Sequence, residues 1–256
     1  MRSRGDHPIS PWISLSKRAW NSGRLFCFPY AGGGALTYHS WPNRILKGIE
    51  VARVNLPGRE ARFKEPLFRD LQSLVDVLAD ELIPWIDRPF AFYGHSMGAL
   101  LAFELTRELR RRHNLLPHHL FVSGYGAPHS FFPGLLISEL PDKDFLLKIS
   151  QLGGLPDIIA QNEELMEIYL PILKADFQML ENYVYKEESP LECPLTAFGG
   201  LSDPIFNRDS ILAWNIHTNV KFESLFFPGG HFFLLDSEPR VIDQINFYLD
   251  QSLFAH

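Results

Sequence analysis

The stretch FYGHSMGALLAFEL, Phe92 to Leu105, sets Gly94, Ser96 and Gly98 between a run that reads as a strand and one that reads as a helix. Glycine inside regular elements costs backbone entropy, so glycines on both sides of one residue mark a backbone crowded for anything larger. The spacing G-H-S-M-G fits the G-x-S-x-G pattern of a nucleophile elbow, a strained strand-to-helix corner that pushes a serine hydroxyl out above a sheet. Serine between glycines also occurs in ordinary loops, so the flanking elements have to decide.

They alternate. Short apolar runs at 24–29, 50–57, 89–94, 119–124, 194–200 and 221–230 read as strands. Asp70 caps an amphipathic helix carrying Leu71, Leu74, Val75, Leu78 and Leu82 at helical spacing. A helix over 97–112 ends in Arg110, Arg111 and Arg112, where positive charge suits the macrodipole, and a last helix starts near Pro239. This order implies an α/β fold, a mainly parallel sheet with helices on both faces, and chemistry at the carboxyl ends of the strands. Between Glu139 and Ser189 the alternation stops. Two helical runs appear there, separated by Gly153, Gly154 and Pro156, with Pro171 expected to kink the second. We read 1–256 as one domain with a helical lid insertion at about 139–189.

The chain has 256 residues, 46% hydrophobic and 21% charged, with net charge −6, which is globular composition without the basic surface of a nucleic-acid binder. No apolar run reaches the roughly 18 residues of a membrane span. Asp6, Pro8 and Pro11 interrupt any apolar core of a secretory signal. Cys27 and Cys193 lie in or beside strand-like runs and read as small buried residues, which points to a cytoplasmic location.

A serine hydroxyl needs a base to take its proton and an acid to orient that base. Of 10 histidines, His231 has the right address, in FFPGGHFFLL between the final strand and the final helix. Asp203, in FGGLSDP after a late strand, completes the order Ser, acid, His of α/β-hydrolases. Its plain alternative is an Asx-turn before Pro204. Gly199 and Gly200 read as the turn leading to it. The two N–H groups that would hold a developing oxyanion fall to Met97, directly after the serine, and to Ala31 in PYAGGG. PYAGGG lacks the spacing of a phosphate loop, so no nucleotide cofactor is implied. His113, His118 and His119 read as solvent-facing and show no metal-ligand spacing.

With these pieces in place, LFCFPYAGGG, LPGREARFKEP, YGHSMGALLAFEL, LKADFQMLENYVY, FGGLSDP and PGGHFFL together resemble the type II thioesterases that accompany modular polyketide and nonribosomal peptide synthetases. The resemblance runs from about Arg24 to Tyr248 and implies the α/β-hydrolase fold. It also implies a monomer without metal or cofactor that removes misprimed or stalled acyl groups from the phosphopantetheine thiol of acyl or peptidyl carrier domains. It places Ser96, Asp203 and His231 in the triad, and Ala31 and Met97 in the oxyanion hole. A generic esterase or lipase, and a non-catalytic binding protein on the same fold, stay open. Arg59, Arg62 and Lys64 follow a core strand, where they either dock the carrier or form a solvated loop.

Overall fold

Seven strands line up as β1 (Ile13–Leu15), β3 (Ile49–Val54), β2 (Gly23–Phe28), β4 (Phe90–His95), β5 (His119–Ser123), β6 (Leu195–Gly200) and β7 (Phe222–Phe227). The computed structural model describes residues 10–16, 22–130, 136–153 and 162–253. Asp6 and Pro8 of the signal reading, and Gly154 and Pro156 of the linker, lie outside them. All pairings are parallel except β1 against β3. The sheet is the one the apolar runs imply, with strand limits displaced by a few residues.

Successive side chains of a strand face opposite ways, so each buried strand feeds two cores. Phe26, Phe28, Phe92, Leu120, Val122 and Ala197 face α1 (Leu71–Leu82) and α2 (Met97–His113). Leu25, Cys27, Tyr93, Phe121 and Phe198 face the carboxyl-terminal helix of the chain, Glu238–Leu253. Asp70 caps α1 as expected, its carboxylate accepting the Ser73 N–H at 2.8 Å. Pro84 then tightens the chain into a 3-10 turn over Ile83–Trp85. The arginines ending α2 are paired, Arg110 with Glu188 at 2.9 Å and Arg112 with Asp76 at 2.8 Å, as a helix terminus wants rather than as a binding patch.

Two expectations change. β1 is an added antiparallel edge strand of three residues, anchored by Trp12 and Ile13 in the core. His119 is not solvent-facing: it sits within β5, 4% exposed, with its Nε2 2.8 Å from the Thr196 hydroxyl. Both cysteines are buried and free.

The region between β5 and β6 contains α3 (Asp142–Gln151) and α4 (Glu163–Glu181), the latter running on through Pro171. Ile137, Phe145, Ile149 and Leu173 give these helices a small core of their own, while Met179 and Leu180 at the end of α4 join the main one. Beyond β6 come α5 (Arg208–Leu212), α6 (Phe233–Asp236) and α7, the Glu238–Leu253 helix. Among the described residues no helix is long and apolar enough to cross a membrane.

The strand order reverses between β2 and β4, since the chain steps outward from β2 to β3 and then returns to the other side of β2. The crevice at such a reversal, outside the carboxyl ends of the strands, is where an open α/β sheet presents ligand-binding groups. The loop after β2 begins at Pro29, and the turn after β4 is Ser96.

Candidate active site

Ser96 stands at φ 54°, ψ −120°, a left-handed conformation that a non-glycine residue keeps only when its surroundings impose it. Those surroundings are the two flanking glycines. A Cβ on Gly94 would lie 1.9 Å from the Gly98 carbonyl oxygen, and one on Gly98 would lie 2.2 Å from that of Phe28. The amino end of α2 is therefore pressed against the ends of β4 and β2. Met97 is its first residue, and the first N–H groups of a helix have no acceptor within it.

His231 reaches Ser96 from the turn after β7. Its Nε2 is 2.8 Å from Ser96 Oγ, and its Nδ1 is 2.9 Å from Asp203 Oδ2. A carboxylate only accepts, so Nδ1 carries the proton and Nε2 is left to accept the serine hydroxyl. Asp203 keeps a second set of bonds, its Oδ1 accepting the N–H groups of Ile205 at 2.8 Å and Phe206 at 3.2 Å. The two readings of Asp203 from sequence do not exclude each other in this geometry: one oxygen closes an Asx-turn and the other faces the imidazole. Gly199 and Gly200, expected to make the turn, lie inside β6 instead. A Cβ on Gly200 would sit 2.3 Å from the Gly230 carbonyl oxygen, so this glycine lets the His231 loop approach the strand.

Sequence reasoning left His95 without a part. Its ring is fully buried and bridges two elements of the site, 2.9 Å from the Ser123 hydroxyl through Nδ1 and 3.1 Å from the His231 carbonyl oxygen through Nε2. A carbonyl only accepts, so Nε2–H donates to it. Burial holds the imidazole well below its ordinary pKa, in the neutral form this arrangement uses. Gly124 makes room, since a Cβ there would meet the His95 ring at 2.7 Å.

Ala31 and Ser96 border the same cavity, roofed by Ile149 and Leu152 from the α3 end and by Leu173, Phe177 and Leu180 of α4. Its volume is about 40 Å³, little more than the ~30 Å³ share of one water and far below the several hundred Å³ usual for a ligand pocket. A cleft of about 750 Å³ lies beside it and shares the walls Tyr125, Leu180, Ile205 and Phe206.

Two of the three cations considered for docking are occupied. Arg59 is buried against Asp176. Arg62 is buried too, with its guanidinium 3.7 Å over the Trp12 ring and hydrogen-bonded to Glu65 and to the Asn55 carbonyl. Only Lys64 of the trio faces solvent. Neither of the two readings, a basic docking loop or a solvated one, fits the arginines: Asp176, 117 residues away, draws Arg59 inward, and the Trp12 ring, Glu65 and the Asn55 carbonyl hold Arg62.

The model of the thioesterase domain family matches residues 23–248. Among curated proteins, the gramicidin S biosynthesis protein GrsT of Aneurinibacillus migulanus is 46% identical over 220 residues, 86% of this chain and 86% of that protein. Among solved structures, the RedJ thioesterase from the prodiginine pathway of Streptomyces coelicolor is 37% identical, with a TM-score of 0.84 over 89% of this chain and 90% of that one. The type II thioesterase BorB from the borrelidin biosynthetic cluster is 31% identical, with a TM-score of 0.87 over 95% and 100% of the two chains.

Proposed function

The chain belongs to the thioesterase domain family, and from that premise we propose that it is a type II thioesterase that clears acyl or peptidyl groups from the phosphopantetheine thiol of carrier domains. The observation that carries the reading is the unbroken line of hydrogen bonds from Ser96 through His231 to Asp203, at 2.8 and 2.9 Å, under a cavity walled by apolar side chains.

In this reading Ser96 Oγ attacks the thioester carbonyl while His231 Nε2 takes its proton. Asp203 holds the imidazole in the required tautomer and stabilises the imidazolium. The tetrahedral oxyanion is held by the N–H groups of Ala31 and Met97, which flank the strand reversal from the β2 and β4 sides. The oxyanion collapses, the C–S bond breaks, and the thiolate leaves with the proton from His231. A thiolate is a good leaving group, so this donation demands less than in amide cleavage. Water, deprotonated by the same histidine, then releases the acid and restores Ser96. The apolar roof over Ser96 supports treating α3 and α4 as a lid, and with it the single-domain reading of 1–256.

Parallel assays with acyl-pantetheine thioesters, the same acyl group on a carrier domain, and matched oxygen esters test the proposal. Thioester hydrolysis that is faster on the carrier, together with labelling of Ser96 by a fluorophosphonate, is expected. Preference for oxygen esters would move the protein to the general esterases, and absence of labelling would leave a binding protein.

A further inference from the structure

Two stretches far apart in the sequence, PYAGGG (29–34) and LPGRE (56–60), meet in one polar clasp together with α4. Arg59 donates through Nη1 to Asp176 Oδ2 at 2.7 Å and through Nη2 to Oδ1 at 2.8 Å, and Nη1 also reaches the Gly33 carbonyl oxygen at 3.1 Å. Asp176 Oδ2 accepts the Gly32 N–H at 2.7 Å. Glu60 closes the far end, its Oε1 accepting the Leu36 N–H at 2.9 Å in space that a Cβ on Gly34 would fill. The Arg59 and Asp176 side chains are 7% and 0% exposed.

A buried ion pair seldom adds net stability over apolar residues of the same size, because desolvation offsets the attraction. Stability is therefore a weak reason for this one. What it does is hold two peptide groups of a glycine run that has no side chains to fix it. Gly32 is at φ 76°, in the region where glycine is freest, and an unrestrained run would sample many conformations. The peptide carrying the Gly32 N–H adjoins the one carrying the Ala31 N–H, and Ala31 borders the cavity with Ser96.

We propose that Arg59 and Asp176 are positioning residues that fix the oxyanion loop and so aim the Ala31 N–H at the acyl oxygen. The proposal rests on the reading of Ser96 as nucleophile and Ala31 as oxyanion donor. Asp176 lies on α4, so the loop is locked to the roof of the site as well as to the sheet.

The test compares wild type with Asp176→Asn, Asp176→Ala, Arg59→Lys and the double variant Arg59→Met/Asp176→Leu, which leaves no buried charge unpaired. Each is assayed on a short acyl-pantetheine thioester. Each is also titrated with an acyl trifluoromethyl ketone, whose carbonyl carbon takes Ser96 Oγ and leaves an oxyanion in the hole, and with the unreactive methyl ketone of the same chain. In Asp176→Ala and the double variant, kcat should fall by about 10- to 100-fold with KM within about threefold. Trifluoromethyl ketone affinity should fall in parallel, while methyl ketone affinity stays. Asp176→Asn, which can still accept the Gly32 N–H, should recover part of the loss, and Arg59→Lys should be intermediate. Wild-type kcat in a folded double variant overturns the proposal. So does a loss confined to KM, or one that tracks the unfolded fraction in every variant. If instead Ser96→Ala still hydrolyses thioester, or the wild type takes no fluorophosphonate, the underlying reading of the site fails, whatever the Asp176 variants do.

Discussion

Backbone strain at Ser96, on the order of 1–3 kcal/mol for a non-glycine residue in such a conformation, places its hydroxyl rather than its bulk. Ser96→Ala keeps the corner and removes only the oxygen. Its kcat/KM on thioesters should fall by several orders of magnitude, and its melting temperature should move by no more than a few degrees. Retention of more than about a tenth of the rate would take Ser96 out of the nucleophile role. Asp203→Asn is subtler, because the amide oxygen can still close the turn to Ile205 and Phe206 while the amide nitrogen meets His231 Nδ1. That favours the wrong imidazole tautomer. We expect a drop in kcat of about a hundredfold or more with little change in stability, smaller than that of His231→Ala. A kcat that stays at the wild-type level would return Asp203 to its turn.

Elements of secondary structure carry the next prediction, since the site is assembled from strand ends that touch without side chains between them. Gly200→Ala would drive a methyl group against the Gly230 carbonyl oxygen and push the His231 loop away from β6. Activity should collapse with only partial loss of helix signal in circular dichroism, and normal turnover in this variant would mean the loop adapts. The roof makes a different prediction. Phe177→Ala should lengthen the acyl chain that gives the highest kcat/KM, because the phenyl ring lines a cavity of about 40 Å³. An unchanged chain-length profile would reduce α3 and α4 to a structural layer. Much of this arrangement was legible in sequence. Strand alternation, the Asp70 cap and the glycines around Ser96 are local signals, readable a few residues at a time. β1 was not, because three residues make a strand only through their partner β3. Nor were the true positions of Arg59 and His119, which depend on Asp176 and Thr196, 117 and 77 residues away. Charge reads as exposed until a distant acceptor removes it from water.

At the scale of the whole molecule, acid should unfold this protein from within. Burial lowers the pKa of His119 to about 3 and that of His217 to about 4 from an ordinary 6.5, and pushes His95 well down as well. Folded, these groups stay neutral where the unfolded chain already binds protons. Their contribution is therefore complete above pH 6.5 and is lost as pH falls from 6.5 towards those depressed values. For His119 the slope is at most about 1.4 kcal/mol per pH unit. Urea unfolding at pH 7.0 and 5.5 should show the loss. A shallower difference is expected in His119→Phe/Thr196→Val, and an unaltered one would assign the acid sensitivity elsewhere. The clasp of Arg59 and Asp176 has a consequence on a longer clock, that of descent. Removing either partner alone leaves a buried charge without its counter-ion, at roughly 3–5 kcal/mol, a large part of the ~5–15 kcal/mol that keeps a domain folded. Lineages that lose one member should thus be rare intermediates. Across related chains, the two positions should change together or not at all, so their substitutions should be correlated although 117 residues separate them.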